Sequence, residues 1–185
     1  VIGLVVFLGS RSGGNKQSVT VPAAAPPPPP PAPAGWKQSA RSAYADARWV
    51  YDEMGVELAT WRGDTLYEAQ TSTSSAAINT THQSTWNQLP TRLAAARDAL
   101  YQVESTAGDP HVTQLAKTLG DNLNATRSAV DRLADARCNR RLVEDEGSDS
   151  GAIDAARSAE SRAADDLAAD RRRLGDATAN LSAAI

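Results

Sequence analysis

From residue 36 to the end of this 185-residue chain, apolar residues recur at steps of three and four. This spacing follows the 3.6-residue period of an α-helix and places the apolar side chains on one face. Alanine is abundant and Phe occurs once, a composition that favours closely packed helices over a β-sandwich. The sequence therefore predicts an all-α domain over residues 36–185, long enough to bury one hydrophobic core.

The first helix is predicted over residues 36–62. Gly63 is a suitable C-cap, and Thr65-Leu66-Tyr67-Glu68 matches the capping box that opens a new helix. The second helix is predicted over about residues 74–106, with a kink at Pro90. The alternative for this segment is a Ser/Thr-rich loop, followed by a shorter helix with Pro90 in its first turn.

Two further helices follow the turn Gly108-Asp109-Pro110 and the acidic connection formed by residues 144–149. The fourth runs from about Ser150 to the end, and Glu160 and either Asp170 or Arg171 interrupt its apolar stripe. Short turns between long helices indicate antiparallel neighbours. We therefore predict an up-down antiparallel four-helix bundle, with a three-helix bundle and a loosely packed first helix as the alternative.

The chain begins with Val1 to Leu8, none of which has a polar side chain. A membrane-spanning helix needs about 20 apolar residues, so we interpret residues 1–8 as the end of a longer, truncated transmembrane or signal segment. We favour an anchor over a cleaved signal peptide because no clear small-residue cleavage site follows. Arg11 and Lys16 do not fix the orientation across the membrane.

Residues 9–35 are predicted to be a disordered linker, flexible and Gly/Ser-rich at first and then rich in Pro and Ala. The run from Pro26 to Pro31 favours an extended polyproline II form. At about 3.1 Å per residue, residues 22–35 would span ~40 Å between the anchor and the helical domain. A docking site for a proline-binding domain is the alternative to a spacer.

The net charge is −3, and acidic and basic residues are interspersed along the chain. This pattern lacks the concentrated basic face that binds nucleic acid. His82 and His111 lie far apart in sequence, and no Glu-x-x-His, H-E-x-x-H, G-x-S-x-G or phosphate-loop motif is present. We therefore expect no enzymatic activity, no cofactor, and no catalytic, cofactor-binding or metal-binding residue.

Cys138 is the only cysteine, so the chain cannot form an internal disulfide. It lies beside Arg137, Arg140 and Arg141, whose guanidinium groups would favour a reactive thiolate or one that links a dimer. The other interpretation, which we favour, is a tolerated helix residue.

Aromatic residues crowd the predicted first helix and the positions just after it: Trp36, Tyr44, Trp49, Tyr51, Trp61 and Tyr67. Trp36 and Trp61 fit the apolar stripe, whereas Trp49 and Tyr51 flank it. Aromatics outside the stripe can mark a partner surface or line a ligand crevice. The alternative, which we favour, is that they widen the buried face of an alanine-rich core.

The apolar start, the Pro22 to Ala34 tract and stretches such as residues 93–100 together resemble uncharacterised membrane-anchored envelope proteins of high-GC Gram-positive bacteria. The resemblance is one of composition and implies a helical domain outside the cytoplasmic membrane. We expect a non-enzymatic interaction or scaffold module with a protein partner or self-association. The alternative is a small-molecule-binding or sensory bundle with a pocket near the first helix and His82.

Overall fold

The computed structural model describes residues 35–71 and 80–185. These residues contain no β-strand and form five α-helices: α1 (Gly35–Glu53), α2 (Val56–Thr71), α3 (Thr80–Thr106), α4 (Pro110–Asp145) and α5 (Ser150–Ala183). The predicted all-α class is confirmed for this part of the chain. The predicted hydrophobic segment of residues 1–8, the linker up to residue 34 and residues 74–79 of the predicted second helix lie outside it.

None of the helices in these two ranges combines the length and the apolar character needed to cross a membrane.

The prediction of one first helix over residues 36–62 is wrong, because the chain breaks at Met54 and Gly55 into α1 and α2. Gly63 is not a C-cap; it is buried inside α2. The predicted capping box is also wrong, since the Thr65 hydroxyl donates back to the Trp61 carbonyl at 2.9 Å within the same helix. Gly63 lies inside the helix at a point where α2 approaches Ala134 and Arg137 of α4 too closely for a larger side chain.

Pro90 lies inside α3, so the prediction of one helix through this residue is confirmed over residues 80–106. The alternative, with Pro90 in the first turn, is wrong because α3 begins at Thr80. Proline has no N–H, so the Trp86 carbonyl lacks its usual helical donor. Pro90 itself is exposed, where its ring meets little of the core.

The starts of α4 and α5 have the capping chemistry that their sequences indicate. The Asp109 carboxylate accepts the His111 N–H at 2.8 Å, with Pro110 in the first turn, where no N–H is required. The Asp149 carboxylate accepts the Ala152 N–H at 2.9 Å. The predicted start of the fourth helix near Ser150 is confirmed.

The core is built from side chains of all five helices and of the α1–α2 junction. The largest fully buried ones are Val50, Met54, Leu58, Leu89, Val103, Leu119, Leu123, Val130, Leu133, Leu167, Leu174 and Leu181. α1 packs mainly against α3 and α5, while α4 packs most extensively against α5 and also against α2 and α3. Buried alanines such as Ala40, Ala43 and Ala47 allow α1 to approach its neighbours closely.

Candidate functional site

An open groove of about 340 Å³ runs between α1 and α5. One wall is formed by Tyr44, Arg48 and Tyr51, whose spacing of four and then three residues places them on one side of α1. The facing wall of α5 carries only small residues: Gly175, Thr178, Ala179, Ser182 and Ala183. We call this feature the α1–α5 groove. It combines aromatic and cationic side chains with a surface that another chain could approach closely.

Tyr51 is fixed in this wall by contacts on several sides. A Cβ atom on Gly175 would lie 3.0 Å from Tyr51 Cε2, so the ring packs closely against this glycine. The guanidinium groups of Arg48 and Arg171 lie 5.4 and 5.1 Å from the ring centroid, within cation–π range. Tyr51 is therefore a pre-positioned wall residue, while Arg48 is exposed at the rim and pairs with Asp52 at 3.1 Å.

The other aromatic residues of the predicted first helix, and Tyr67 just after it, pack against neighbouring side chains of the bundle. Trp36, Trp49 and Trp61 are half-buried against the core, and Tyr67 is buried. The Arg92 guanidinium covers Trp49 at 5.4 Å, and the Arg141 guanidinium lies 4.1 Å from the Tyr67 ring. These rings widen the buried face, as we expected, whereas Tyr44 and Tyr51 also border an open groove.

A second hollow, also of about 340 Å³, lies where α1 gives way to α2. His82 lines it together with Asp52, Glu53, Gly55, Val56, Glu57, Leu58 and Arg171. The His82 ring is half-buried, and its centroid lies 6.0 Å from that of Trp61. We predicted one pocket near the first helix and His82, but the structure has two separate hollows there. His82 lines the junction hollow and not the α1–α5 groove.

The structure does not bring the two histidines together. His111 is exposed at the start of α4, where it borders a separate hollow with Leu115 and Asn180. Within residues 35–71 and 80–185, no group of three or more His, Cys, Asp or Glu side chains could hold a metal ion.

Charged side chains of α2, α4 and α5 form an ionic cluster, consisting of Asp64, Arg137, Arg140, Arg141, Glu144, Arg157 and Glu160. On the α2 side, the Asp64 carboxylate accepts from Arg137 Nε at 2.9 Å and from Arg141 Nη1 at 3.1 Å. The hydrogen bond from Arg137 to Asp64 raises the pKa of the arginine, reinforced by the charge of Glu160. Arg137 thus stays charged while it links α2 to α4.

On the α5 side of the ionic cluster, Glu160 accepts from Arg137 Nη1 at 3.3 Å and also pairs with Arg140. Glu144 accepts from Arg140 at 2.7 Å and pairs with Arg157 at 3.0 Å. Desolvation acts to raise the pKa of Glu144, but the hydrogen bonds from both arginines outweigh it and lower the pKa. Glu160, which was predicted to interrupt the apolar stripe of the fourth helix, therefore forms ion pairs that join α5 to α4.

At the second position where the apolar stripe of α5 is interrupted, two adjacent charged residues have different partners. Asp170 is buried and pairs with Arg132 at 3.5 Å and with Arg173. Arg171 extends across the bundle and donates from Nη2 to the Tyr51 carbonyl at 2.8 Å. The sequence left the choice between Asp170 and Arg171 open, and the structure assigns a role in packing to each.

The expectation that the arginines beside Cys138 favour its thiolate is wrong. The side chain is buried, and desolvation raises the pKa of the thiol, with a further contribution from the negative charge of Asp135. Arg141 acts in the opposite direction but is weaker than these two causes. Gln70 of α2 donates from Nε2 to Cys138 Sγ at 3.6 Å, so α2 lies next to the thiol.

Sequence reasoning missed Asp64 and the partner of Arg171, because these contacts join residues 73 and 120 positions apart along the chain. Only pairs three or four residues apart, such as Arg127–Asp131, leave a signal in one sequence.

No protein-family model, no curated protein and no solved structure matches the chain.

Proposed function

We propose that this chain is a non-enzymatic interaction or scaffold module of the cell envelope, tethered to a membrane through residues 1–8. The observation that carries the interaction role is the α1–α5 groove, which has an aromatic wall facing small residues. Aromatic residues beside a shallow, close-approach surface are typical of protein-binding sites. A tether raises the local concentration of the module near membrane partners, so a modest affinity for one groove suffices.

The tether, the linker and an extracytoplasmic location are proposed from the sequence. Support comes from the uninterrupted apolar residues Val1 to Leu8, the proline run that follows, and the compositional resemblance to envelope proteins of high-GC Gram-positive bacteria. In this proposal the proline-rich segment serves as a spacer between the membrane segment and the helical domain.

We also propose that the five helices are arranged as an up-down four-helix bundle, in which α1 and α2 together supply an interrupted first helix. Two contacts between α1 and α3 support an antiparallel order, because Asp46 pairs with Arg92 and Glu53 accepts from Thr85. Lys37 donates to the Ile185 carbonyl at 3.0 Å, which is consistent with an antiparallel α1 and α5.

The test is site-specific photocross-linking in cells that express the full-length, tagged chain. A benzophenone amino acid is placed at Ser182, which is exposed in the α1–α5 groove, and in a second strain at Tyr101, which is 67% exposed on α3. We expect one recurrent envelope protein to be captured from Ser182 and not from Tyr101. Equal capture from both positions, or capture from neither, would contradict the proposed interface.

A matched pair of substitutions sharpens this test. Tyr44→Ala removes a half-buried wall residue of the groove, whereas Tyr101→Ala removes an equally large ring from an exposed position elsewhere. We expect Tyr44→Ala to reduce capture from Ser182 about tenfold, as loss of an interface aromatic does, while Tyr101→Ala leaves it unchanged. Circular dichroism of both variants checks that the bundle remains folded.

A small-molecule-binding or sensory bundle is the second candidate, and the volume of the same groove favours it. About 340 Å³ lies within the range of ligand pockets, although an open groove buries less of a ligand than a closed one. A ligand should raise the melting temperature and change the tryptophan fluorescence of the isolated helical domain. A scaffold should respond only to its protein partner, and self-association should appear as a concentration-dependent mass in sedimentation experiments.

A further inference from the structure

α2 is held against the bundle mainly by one other helix. It packs mainly on α4 and only slightly on α3 and α5, whereas α1 packs against both α3 and α5. After Ala59, the only buried residues of α2 are Gly63 and Tyr67. Apart from the buried Tyr67 and the half-buried Trp61, the apolar anchoring of α2 therefore lies at its first turn, in Leu58 and Ala59.

The junction before α2 has the chemistry of a hinge. In a continuous helix the Gly55 N–H would donate to the Tyr51 carbonyl, four residues earlier. Here the Gly55 N–H donates to the Glu53 carbonyl at 2.9 Å, and Arg171 Nη2 of α5 donates to the Tyr51 carbonyl at 2.8 Å. A side chain from another helix thus replaces the missing helical hydrogen bond and holds the junction in its broken form.

Beyond its first turn, α2 meets α4 through the buried residues Gly63 and Tyr67 and through the ion pairs of Asp64. Asp64 binds Arg137 and Arg141, and the ring of Tyr67 lies beneath the Arg141 guanidinium. Water can replace ion pairs and polar contacts of this kind at small cost, because their side chains are already partly exposed. Segments with few buried apolar contacts are the ones that open locally without global unfolding.

We propose that α2 is a hinged flap, which swings away from α4 about Met54 and Gly55 while α1, α3, α4 and α5 stay packed. Opening uncovers Cys138 and releases Arg137 and Arg141 from Asp64, so that the open form presents a basic face of α4. This motion does not depend on which partner the bundle binds.

Cys138 provides a native reporter, because it is the only thiol of the chain and lies against Gln70 of α2. The experiment measures alkylation of the full chain by N-ethylmaleimide at several urea concentrations below the unfolding transition, with circular dichroism following global unfolding. We expect an alkylation rate at least about tenfold above that permitted by global unfolding, and a shallower dependence on urea. A rate and a urea dependence equal to those of global unfolding would overturn the proposal.

Two substitutions and a matched control locate the opening. Asp64→Asn weakens the ion pairs between α2 and α4, and Arg171→Met removes the donor at the hinge but keeps a long side chain. Each should raise the alkylation rate in the absence of urea about fivefold or more. Arg97→Met changes an exposed arginine that binds Asn124 between α3 and α4, and it should leave the rate unchanged.

Hydrogen exchange measured on the same variants should rise in residues 56–71 while the core of α5 keeps its protection. If exchange rises equally throughout the chain, Asp64 and Arg171 act only on global stability, and the flap does not exist.

Discussion

The α1 part and the α2 part of this protein pack against their neighbours by different means. α1 buries the small side chains Ala40, Ala43 and Ala47 in an apolar interface with α3 and α5. α2 contacts α4 through Gly63 and then through the ionic cluster around Asp64. One chain thus joins an interface built from buried alanines to one that adds ion pairs to the buried residues Gly63 and Tyr67.

This difference has an energetic consequence. Burial of apolar surface contributes about 25 cal/mol per Å², so a fully buried leucine stabilises the fold by several times the ~0–1 kcal/mol of an exposed ion pair. Ion pairs instead determine which side chains of two helices lie next to each other, because a charged group that is separated from its partner loses favourable contacts. The apolar core, to which α1 contributes, should therefore determine global stability, and the α2 part should respond more to salt, pH and local opening.

The largest effect is expected from Leu123→Ala in the apolar core. Leu123 is fully buried, and its truncation should lower the free energy of unfolding by about 3–5 kcal/mol through lost burial and a residual cavity. Urea denaturation followed by circular dichroism measures this change. Tyr101→Ala on the exposed face of α3 is the control and should change stability by less than about 0.5 kcal/mol.

Gly63→Ala tests the close approach of α2 and α4. Alanine in a helix interior is ordinarily more stable than glycine by about 0.5–1 kcal/mol. At Gly63, however, the added Cβ would lie 2.6 Å from the Ala134 carbonyl oxygen, which backbone atoms cannot easily avoid. We expect a net loss of about 1–3 kcal/mol in the free energy of unfolding.

Gly120→Ala is the matched control for Gly63→Ala, since it also lies inside a helix. Its Cβ would meet only Leu100 Cδ1, at an ordinary 3.7 Å, so this variant should be stabilised by about 0.5–1 kcal/mol. If both variants gain stability in the same urea experiment, the interface between α2 and α4 has room for a methyl group at residue 63.

A smaller effect is expected from Asp64→Asn in the ionic cluster. The variant loses two charge-assisted hydrogen bonds, but the three side chains are 25–34% exposed, so solvent screening limits the loss to about 1 kcal/mol. The difference from the wild type should shrink in 1 M salt, whereas the effect of Leu123→Ala should not. Denaturation at low and high salt measures both, and a salt-independent difference for Asp64→Asn would contradict the assigned role.

The smallest effect is the contribution of Glu144 to stability at low pH. Because the folded-state pKa of Glu144 is lowered from 4.5, its contribution is present above pH 4.5 and is lost as the pH falls through the folded-state value. Glu144→Gln should therefore reduce the acid sensitivity of the melting temperature below about pH 4.5 and make little difference to its slope near pH 7. Parallel melting curves at all pH values would show that the pairs with Arg140 and Arg157 contribute nothing.

The sequence predicted the helices with the strongest local signals. α4 follows the predicted turn at residues 108–110 and α5 begins at the predicted Ser150, where Asp109 and Asp149 cap neighbouring N–H groups. The spacing of apolar residues also carried α3 correctly through Pro90. The break at Gly55 was missed because Arg171, which supplies the replacement hydrogen bond, lies 120 residues from Tyr51 in sequence.

The candidate site was predictable only in part. Crowding of aromatic residues in the first helix pointed to Tyr51, but the groove also needs Gly175 opposite it, and no local pattern links these two positions. The pKa of Cys138 was not predictable either, because its arginine neighbours are visible in the sequence whereas its burial is not.

By itself the sequence determined the all-helical class, the starts of α4 and α5 and the interspersed charge, because each follows from groups within a few residues of one another. Only the tertiary structure decided that Gly63 lies inside a helix, that Gly55 follows a break and that the pKa of Cys138 is raised. Each of these depends on distant helices, whose close approach and exclusion of water outweigh local preference.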